Sequence, residues 1–131
     1  MAKLRGATVI GTVSTDAKAE DARAAGCDEV VVYGATYEFR DDVRRLAPRG
    51  VDVVYDSVGR ATAEASLASL RPRGTCVLYG NSSGAPRAIA PTPTLAVGGS
   101  LFVTRPLLDH YLLTADEVQR EEPVETRTRT L

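Results

Sequence analysis

Short β-branched apolar runs alternate along this chain with stretches whose apolar residues recur at helical spacing. The first run, Ala7-Thr-Val-Ile-Gly-Thr-Val13, lies between glycine-containing segments and predicts a strand. Residues 16–25 are rich in Ala, Lys, Glu and Arg, a helix composition, with Ser14 or Thr15 as N-cap and Gly26 as the C-terminal stop. Glu29-Val-Val-Val-Tyr33 predicts the second strand. Over residues 37–47, Phe39, Val43, Leu46 and Ala47 share one face, which predicts a helix capped by Thr36 and ended by Pro48-Arg-Gly50. Val51-Asp-Val-Val-Tyr55 is the third strand, and a helix over residues 60–70 follows until Pro72 and Gly74 stop it. Thr75-Cys-Val-Leu-Tyr79 and Ser100-Leu-Phe-Val-Thr104 are the fourth and fifth strands. A proline-rich loop with one helical turn near residues 94–97 joins them. From Pro106 the pattern is helical in two pieces, the second opening on the capping box Thr114-Ala-Asp-Glu117.

Strands alternating with helices imply parallel βαβ units with right-handed crossovers, an open α/β sheet wound on both faces. Ligands of such sheets sit beyond the carboxyl ends of the strands. Those ends carry Ser14, Thr15 and Lys18; Tyr33; Asp56 to Gly59; Gly80 to Gly84; and Thr104 with Arg105. Small, hydroxylic and glycine residues dominate four of the five. The first end offers an anion seat, because first-turn N–H groups lack intrahelical partners and the helix dipole favours negative charge there. No G-x-G-x-x-G follows the first strand, and Met1-Ala-Lys-Leu-Arg-Gly6 reads as the last turn of a helix. The expected fold is therefore a Rossmann-like doubly wound parallel sheet, truncated, with its first strand and glycine-rich turn missing.

Composition narrows the chemistry. The 131 residues suit one domain, 44% hydrophobic and 25% charged. Sixteen basic and seventeen acidic residues leave a net charge of -1, which argues against a nucleic-acid or anionic-membrane surface. No apolar run approaches the roughly 20 residues of a membrane span, and the N-terminus has no signal-peptide core, so cytoplasm is the expected compartment. Cys27, Cys76 and the single His110 have no metal-site spacing, so neither a zinc site nor a catalytic histidine is expected. Residues 121–131 alternate threonine with charge and predict a disordered tail.

Five segments carry a family resemblance: Val9-Ile-Gly-Thr-Val-Ser-Thr, Val51-Asp-Val-Val-Tyr-Asp-Ser-Val-Gly59, Leu70-Arg-Pro-Arg-Gly74, Gly80-Asn-Ser-Ser-Gly84 and Gly99-Ser-Leu-Phe-Val-Thr-Arg-Pro106. In this order and spacing the chain resembles the NADPH-dependent quinone oxidoreductases. These form the zeta-crystallin-like, zinc-independent branch of the medium-chain dehydrogenase/reductase superfamily. The resemblance covers residues 2–120. It implies that residues 1–120 are a partial NADP-binding domain, with NADPH as cofactor, no zinc, and a quinone or electron-poor alkene as hydride acceptor. It implies no catalytic side chain, since the cofactor supplies the hydride.

The resemblance also implies site roles. Ser14, Lys18 and Tyr33 would surround the adenosine 2′-phosphate, with Thr15 beside them, where NAD-preferring domains place an acidic residue. Val58 would lie against the cofactor, and Asn81, Ser82 and Ser83 would border its ribose and nicotinamide side. Phe102 and Thr104 would lie near the nicotinamide and the dimer edge, with a homodimer formed through residues 100–104. The family's glycine-rich turn and catalytic domain are not in this sequence, so the chain alone is expected to be inactive. Two other readings stand beside this one: a non-catalytic dimerisation or interaction module that keeps the sheet, and an unrelated doubly wound binder such as a methyltransferase-like domain.

Overall fold

The computed structural model describes residues 2–112. β1 (Ile10–Val13), α1 (Asp16–Ala24), β2 (Glu29–Val32), α2 (Arg40–Leu46), β3 (Val51–Asp56), α3 (Ala63–Ser69), β4 (Leu70–Leu78) and β5 (Phe102–Thr104) follow in the predicted alternation. Every strand pair is parallel: β1 with β2, β3 with β4, and β4 with β5. The α/β, Rossmann-like architecture expected from the periodicity is the one observed.

Several boundaries move, each for a local reason. β1 begins at Ile10 because Val9 directs its amide to the Asp28 carboxylate and its carbonyl to the amides of Asp28 and Glu29. Thr15, not Ser14, caps α1, its hydroxyl accepting from Lys18 N at 3.4 Å. α2 starts at Arg40 rather than residue 37, since Tyr37 has a left-handed backbone that no right-handed helix can contain. Thr36 therefore caps a turn and not the helix. α3 starts at Ala63, and the Thr62 hydroxyl before it turns to Asp56 rather than to a helix amide. β4 extends back to Leu70 through an irregular excursion at residues 71–74, opposite a register shift between Val51 and Val53. The loop before β5 holds a π-helical turn, Pro91–Ala96, longer than expected. After Pro106 a 3-10 turn, Leu108–Tyr111, stands where the first helical piece was predicted. The second piece with its capping box, and the 121–131 tail, lie outside the described residues.

The largest difference is in the sheet. One sheet is expected, and the described residues form two, β1–β2 and β3–β4–β5. In the strand order 3-2-1-4-5-6 of doubly wound dinucleotide folds, a central strand lies between the positions that β1 and β3 take here. The two sheets part at that position. α2 and the Phe39 before it bridge them: Phe39 and Val43 pack with Val31 of β2, and Ile10 of β1 and Val51 of β3 lean on the same cluster.

The main core lies beneath α3, where Ala63 and Leu67 meet Leu70, Cys76, Leu78 and Leu101. Burying one such leucine contributes about 2 kcal/mol. The register places Val54, Cys76 and Val103 in one row on the α3 face, and Val53, Thr75 and Phe102 in a row on the opposite face. That opposite face is open, with Tyr55 70% and Phe102 61% exposed. At the small sheet, Cys27, just after α1, sits close because Gly11 has no side chain: a Cβ there would lie 2.9 Å from Cys27 Sγ.

Candidate functional site

Two groups of strand ends emerge at the carboxyl edge. In the first, Ser14 and Thr15 leave β1 and Lys18 stands one turn into α1. Lys18 Nζ donates to Ser14 Oγ at 3.2 Å. Both Lys18 and Thr15 are exposed, and Ser14 is half-buried. Asp16 shares this first turn, where it faces the positive end of the helix. Tyr33 is the neighbour of Ser14, because its amide donates to Val13 O at 2.9 Å and continues the β1–β2 pairing by one residue. Burial raises the Tyr33 hydroxyl above its ordinary value of 10.0, with Tyr37 and the Asp56 charge adding to the effect. At neutral pH it is a hydrogen-bond donor.

The second group joins the ends of β3, β4 and β5. Residues 56–60 and 79–84 are laced backbone to backbone: Tyr79 and Gly80 amides donate to Asp56 O, Ser82 N to Ser57 O, Ser83 N to Val58 O, and Arg60 N to Gly84 O. The contact requires two glycines. A Cβ on Gly80 would lie 2.2 Å from Ser57 O, and one on Gly59, whose φ is +88°, would lie 2.5 Å from Gly84 O. Ser83 is part of this lacing, its Oγ donating to Val58 O (2.7 Å) and accepting from Ala61 N (2.9 Å). Ser82 and Asn81 are exposed.

Arg105, just beyond β5, ties in the third end. Its Nη1 donates to Leu78 O at 2.8 Å. The Asn81 amide, oriented so that both of its groups are satisfied, accepts from Arg105 Nη2 at 3.2 Å and donates to Gly80 O.

Beneath the laced loops sits a buried carboxylate. Asp56 is 4% exposed and accepts from Val58 N (2.8 Å), Gly59 N (2.9 Å), the Thr62 hydroxyl and the Ser66 hydroxyl (2.8 Å). These bonds pin the turn after β3 to the start of α3. The sequence signal for this network is an acid that closes an apolar run, followed by Thr62 and Ser66 one turn apart on the inner face of a helix. Asp56 and Arg105 stand at strand ends in the sequence, but their partners there are residues of other segments and only the fold assigns them.

The structure thus brings Ser14, Thr15, Lys18 and Tyr33 together, and separately Val58, Asn81, Ser82 and Ser83. Thr104 lies in the row of Tyr55 and Val77, and Phe102 is two residues further back along β5 on the same open face. A concavity of about 1050 Å³ lies elsewhere, between α2, α3 and the loop before β5. From the strand-end loops it is lined by Tyr37 and Glu38 after β2, Arg60 and Ala61 after β3, and Arg87, Ala88 and Ile89 after β4. Among the described residues no three His, Cys, Asp or Glu side chains cluster as metal ligands, and no helix is long and apolar enough to cross a membrane.

Parallel strands alternating with helices, with hydroxyls, glycines and a lysine at their carboxyl ends, define a Rossmann-like nucleotide-binding domain. Residues 1–106 match the zinc-binding dehydrogenases, and the chain belongs to that family, within the medium-chain dehydrogenase/reductase superfamily. It is 51% identical over 114 residues to a 2-haloacrylate reductase of a Burkholderia species, a match covering 86% of this chain and 34% of the relative. It is 46% identical over 121 residues to quinone oxidoreductase 1 of Escherichia coli K12, covering 89% and 36%. The solved structure of an Escherichia coli quinone oxidoreductase complexed with NADPH superposes with a TM-score of 0.82 at 42% identity, covering 91% of this chain and 36% of that one. A mycobacterial structure complexed with NADPH gives 0.83 at 42% identity, covering 91% and 37%. The chain therefore spans about a third of the length of these relatives, and the resemblance to quinone oxidoreductases read in its sequence holds.

Proposed function

We propose that this chain provides the part of an NADPH-dependent oxidoreductase that selects the adenosine 2′-phosphate, in an enzyme passing hydride to a quinone or electron-poor alkene. The observation that carries the reading is the first strand-end group. There the Lys18 ammonium meets the Ser14 hydroxyl, with Thr15 and the backbone of Tyr33 beside them, where an NAD-preferring domain would place an acid. A doubly charged phosphate placed there meets donors and a positive charge, and charge-assisted hydrogen bonds are the strong ones. Bound NADPH supplies the hydride. This chain's residues bind and orient the cofactor: Ser14, Thr15, Lys18 and Tyr33 at the 2′-phosphate, with Val58, Asn81, Ser82 and Ser83 along the ribose and nicotinamide side. Ser83 contributes by holding the loop, since its hydroxyl is already bonded. Phe102 and Thr104 lie toward the nicotinamide end. No side chain here is assigned to catalysis, and the setting is cytoplasmic.

Titration of the purified chain with 2′,5′-ADP and with 5′-ADP tests this site without demanding a pyrophosphate cradle. The reading expects weak binding, tighter for 2′,5′-ADP, with NADPH bound weakly or not at all and no quinone reduction. Lys18→Glu should weaken 2′,5′-ADP by about tenfold or more and leave 5′-ADP unchanged. Equal affinity of the unaltered chain for the two nucleotides would remove the reading.

A second reading, a non-catalytic dimerisation module, is supported by β5. Among the described residues this strand pairs only with β4, and it presents an exposed Phe102. A homodimer through residues 100–104 would extend the sheet across a two-fold axis. Light scattering across a concentration series, with and without 2′,5′-ADP, separates the readings: the module predicts a dimer indifferent to the nucleotide.

A further inference from the structure

Tyr37 has φ of 58°, Arg73 61° and Ser100 57°, the non-glycine left-handed positions among the described residues. That region crowds Cβ against a neighbouring carbonyl, and for a bulky residue it is an outlier. The Arg73 amide donates to Gly99 O, next to Ser100, so those two lie where two separate segments meet. Tyr37 belongs to the turn after β2, which Thr36 closes: its hydroxyl donates to Tyr33 O (2.9 Å) and accepts from Glu38 N (3.3 Å). Gly34 supplies one left-handed position in that turn, at φ 61°, where glycine fits without strain. Tyr37 occupies the other with a full side chain. The unusual backbone yields one contact. The Tyr37 ring stacks on Tyr33 with centroids 5.2 Å apart and planes at 29°.

Tyr33 also leans on the buried Phe39, at 5.8 Å and 43°. It is thus fixed between a core ring and a half-exposed one, at the end of β2 beside Ser14. Fixing matters more for a phenol than for a lysine. Lys18 follows an anion on a flexible stem, whereas a tyrosine hydroxyl points where its ring points. We propose that Tyr37 is a positioning residue, locking the Tyr33 ring so that its hydroxyl meets the 2′-phosphate and sharpening the choice of NADPH over NADH. This rests on the assignment of Ser14, Lys18 and Tyr33 to the 2′-phosphate.

The test titrates 2′,5′-ADP and 5′-ADP into the full 131-residue chain and into Tyr37→Gly, Tyr37→Asn and Tyr37→Phe, with thermal unfolding of each. Gly and Asn suit the left-handed backbone and remove the ring, and Phe keeps the ring. The affinity ratio of 2′,5′-ADP to 5′-ADP should fall about tenfold in the Gly and Asn variants, the loss of one hydrogen bond to a charged acceptor. Affinity for 5′-ADP should stay level, and Phe should retain the ratio. In a Tyr33→Phe background the Gly substitution should have no further effect, as a shared interaction requires. A ratio preserved without the ring overturns the proposal. So does an equal loss for both nucleotides, which would place Tyr37 against the adenine instead. If the unaltered chain shows no preference and Lys18→Glu changes nothing, the 2′-phosphate site itself fails, and the role of Tyr37 falls with it.

Discussion

Asp56 is where a single atom exchange tests the most of this structure. Its carboxylate is 4% exposed and holds two backbone amides and two hydroxyls, which together fasten the β3 turn to α3. Asp56→Ala strands all four donors. A buried group left without its partner costs about 1–3 kcal/mol, but the vacated space admits a water that recovers part of it. The expected loss is about 3–5 kcal/mol, less than the sum of four separate penalties. Asp56→Asn keeps the shape. Its Oδ1 still accepts from the Val58 and Gly59 amides, and its Nδ2 donates to the Thr62 and Ser66 oxygens once those hydroxyls rotate, so about 1–2 kcal/mol is expected from the lost charge. Urea unfolding at neutral pH measures both. Against a domain stability of about 5–15 kcal/mol, the alanine variant should sit near the edge of folding and the asparagine variant well inside it. Hydrogen exchange at the Val58 and Gly59 amides should rise in parallel. An alanine variant within about 1 kcal/mol of the parent, or alanine and asparagine variants of equal stability, would refute the network argument.

Three further outcomes follow from the same geometry. Gly80→Ala places a Cβ 2.2 Å from Ser57 O and must push two laced loops apart, for about 2–3 kcal/mol by urea unfolding. Gly26→Ala meets nothing within 4 Å and should cost only about 1 kcal/mol for its left-handed backbone, so equal losses would contradict the contact. Burial pushes the Cys76 thiol up to about 12, whereas Cys27 is half-buried, so a thiol reagent at mildly alkaline pH should titrate one cysteine in the native chain and two in denaturant. Two native thiols reacting at the same rate would show that the core beneath α3 is open.

The last outcome concerns acid. Asp28 and Asp52 are both held below their ordinary 3.8, chiefly by hydrogen bonds from Lys3 and Arg71 respectively. A depressed carboxylate stabilises above its unfolded value and loses that contribution as pH falls through the folded one. The urea midpoint should therefore drop as pH is lowered below 3.8, less steeply in Arg71→Gln and at high salt, because both pairs are exposed. An identical acid limb in Arg71→Gln would exclude the Arg71 pair as a source.

Period and turn chemistry alone determined much of this protein. The β-branched runs and alanine-rich stretches follow local preference, so their order, the parallel class of the sheet, and the polar character of the strand ends could be read without coordinates. So could a hydroxyl cap at the start of α1, since an N-cap oxygen accepts from an amide two or three residues into the helix. Local pattern failed where a distant partner set the outcome. α2 opens late because Tyr37 turns left-handed to reach Tyr33, and α3 opens late because Thr62 serves Asp56. Only the tertiary structure showed one expected sheet as two among the described residues, since strand neighbours are chosen by backbone pairing between residues far apart in sequence. It alone showed that Asn81 answers to Arg105, and that the Gly80 loop lies on Ser57. Those contacts depend on chain segments meeting in space, and no spacing along the sequence encodes them.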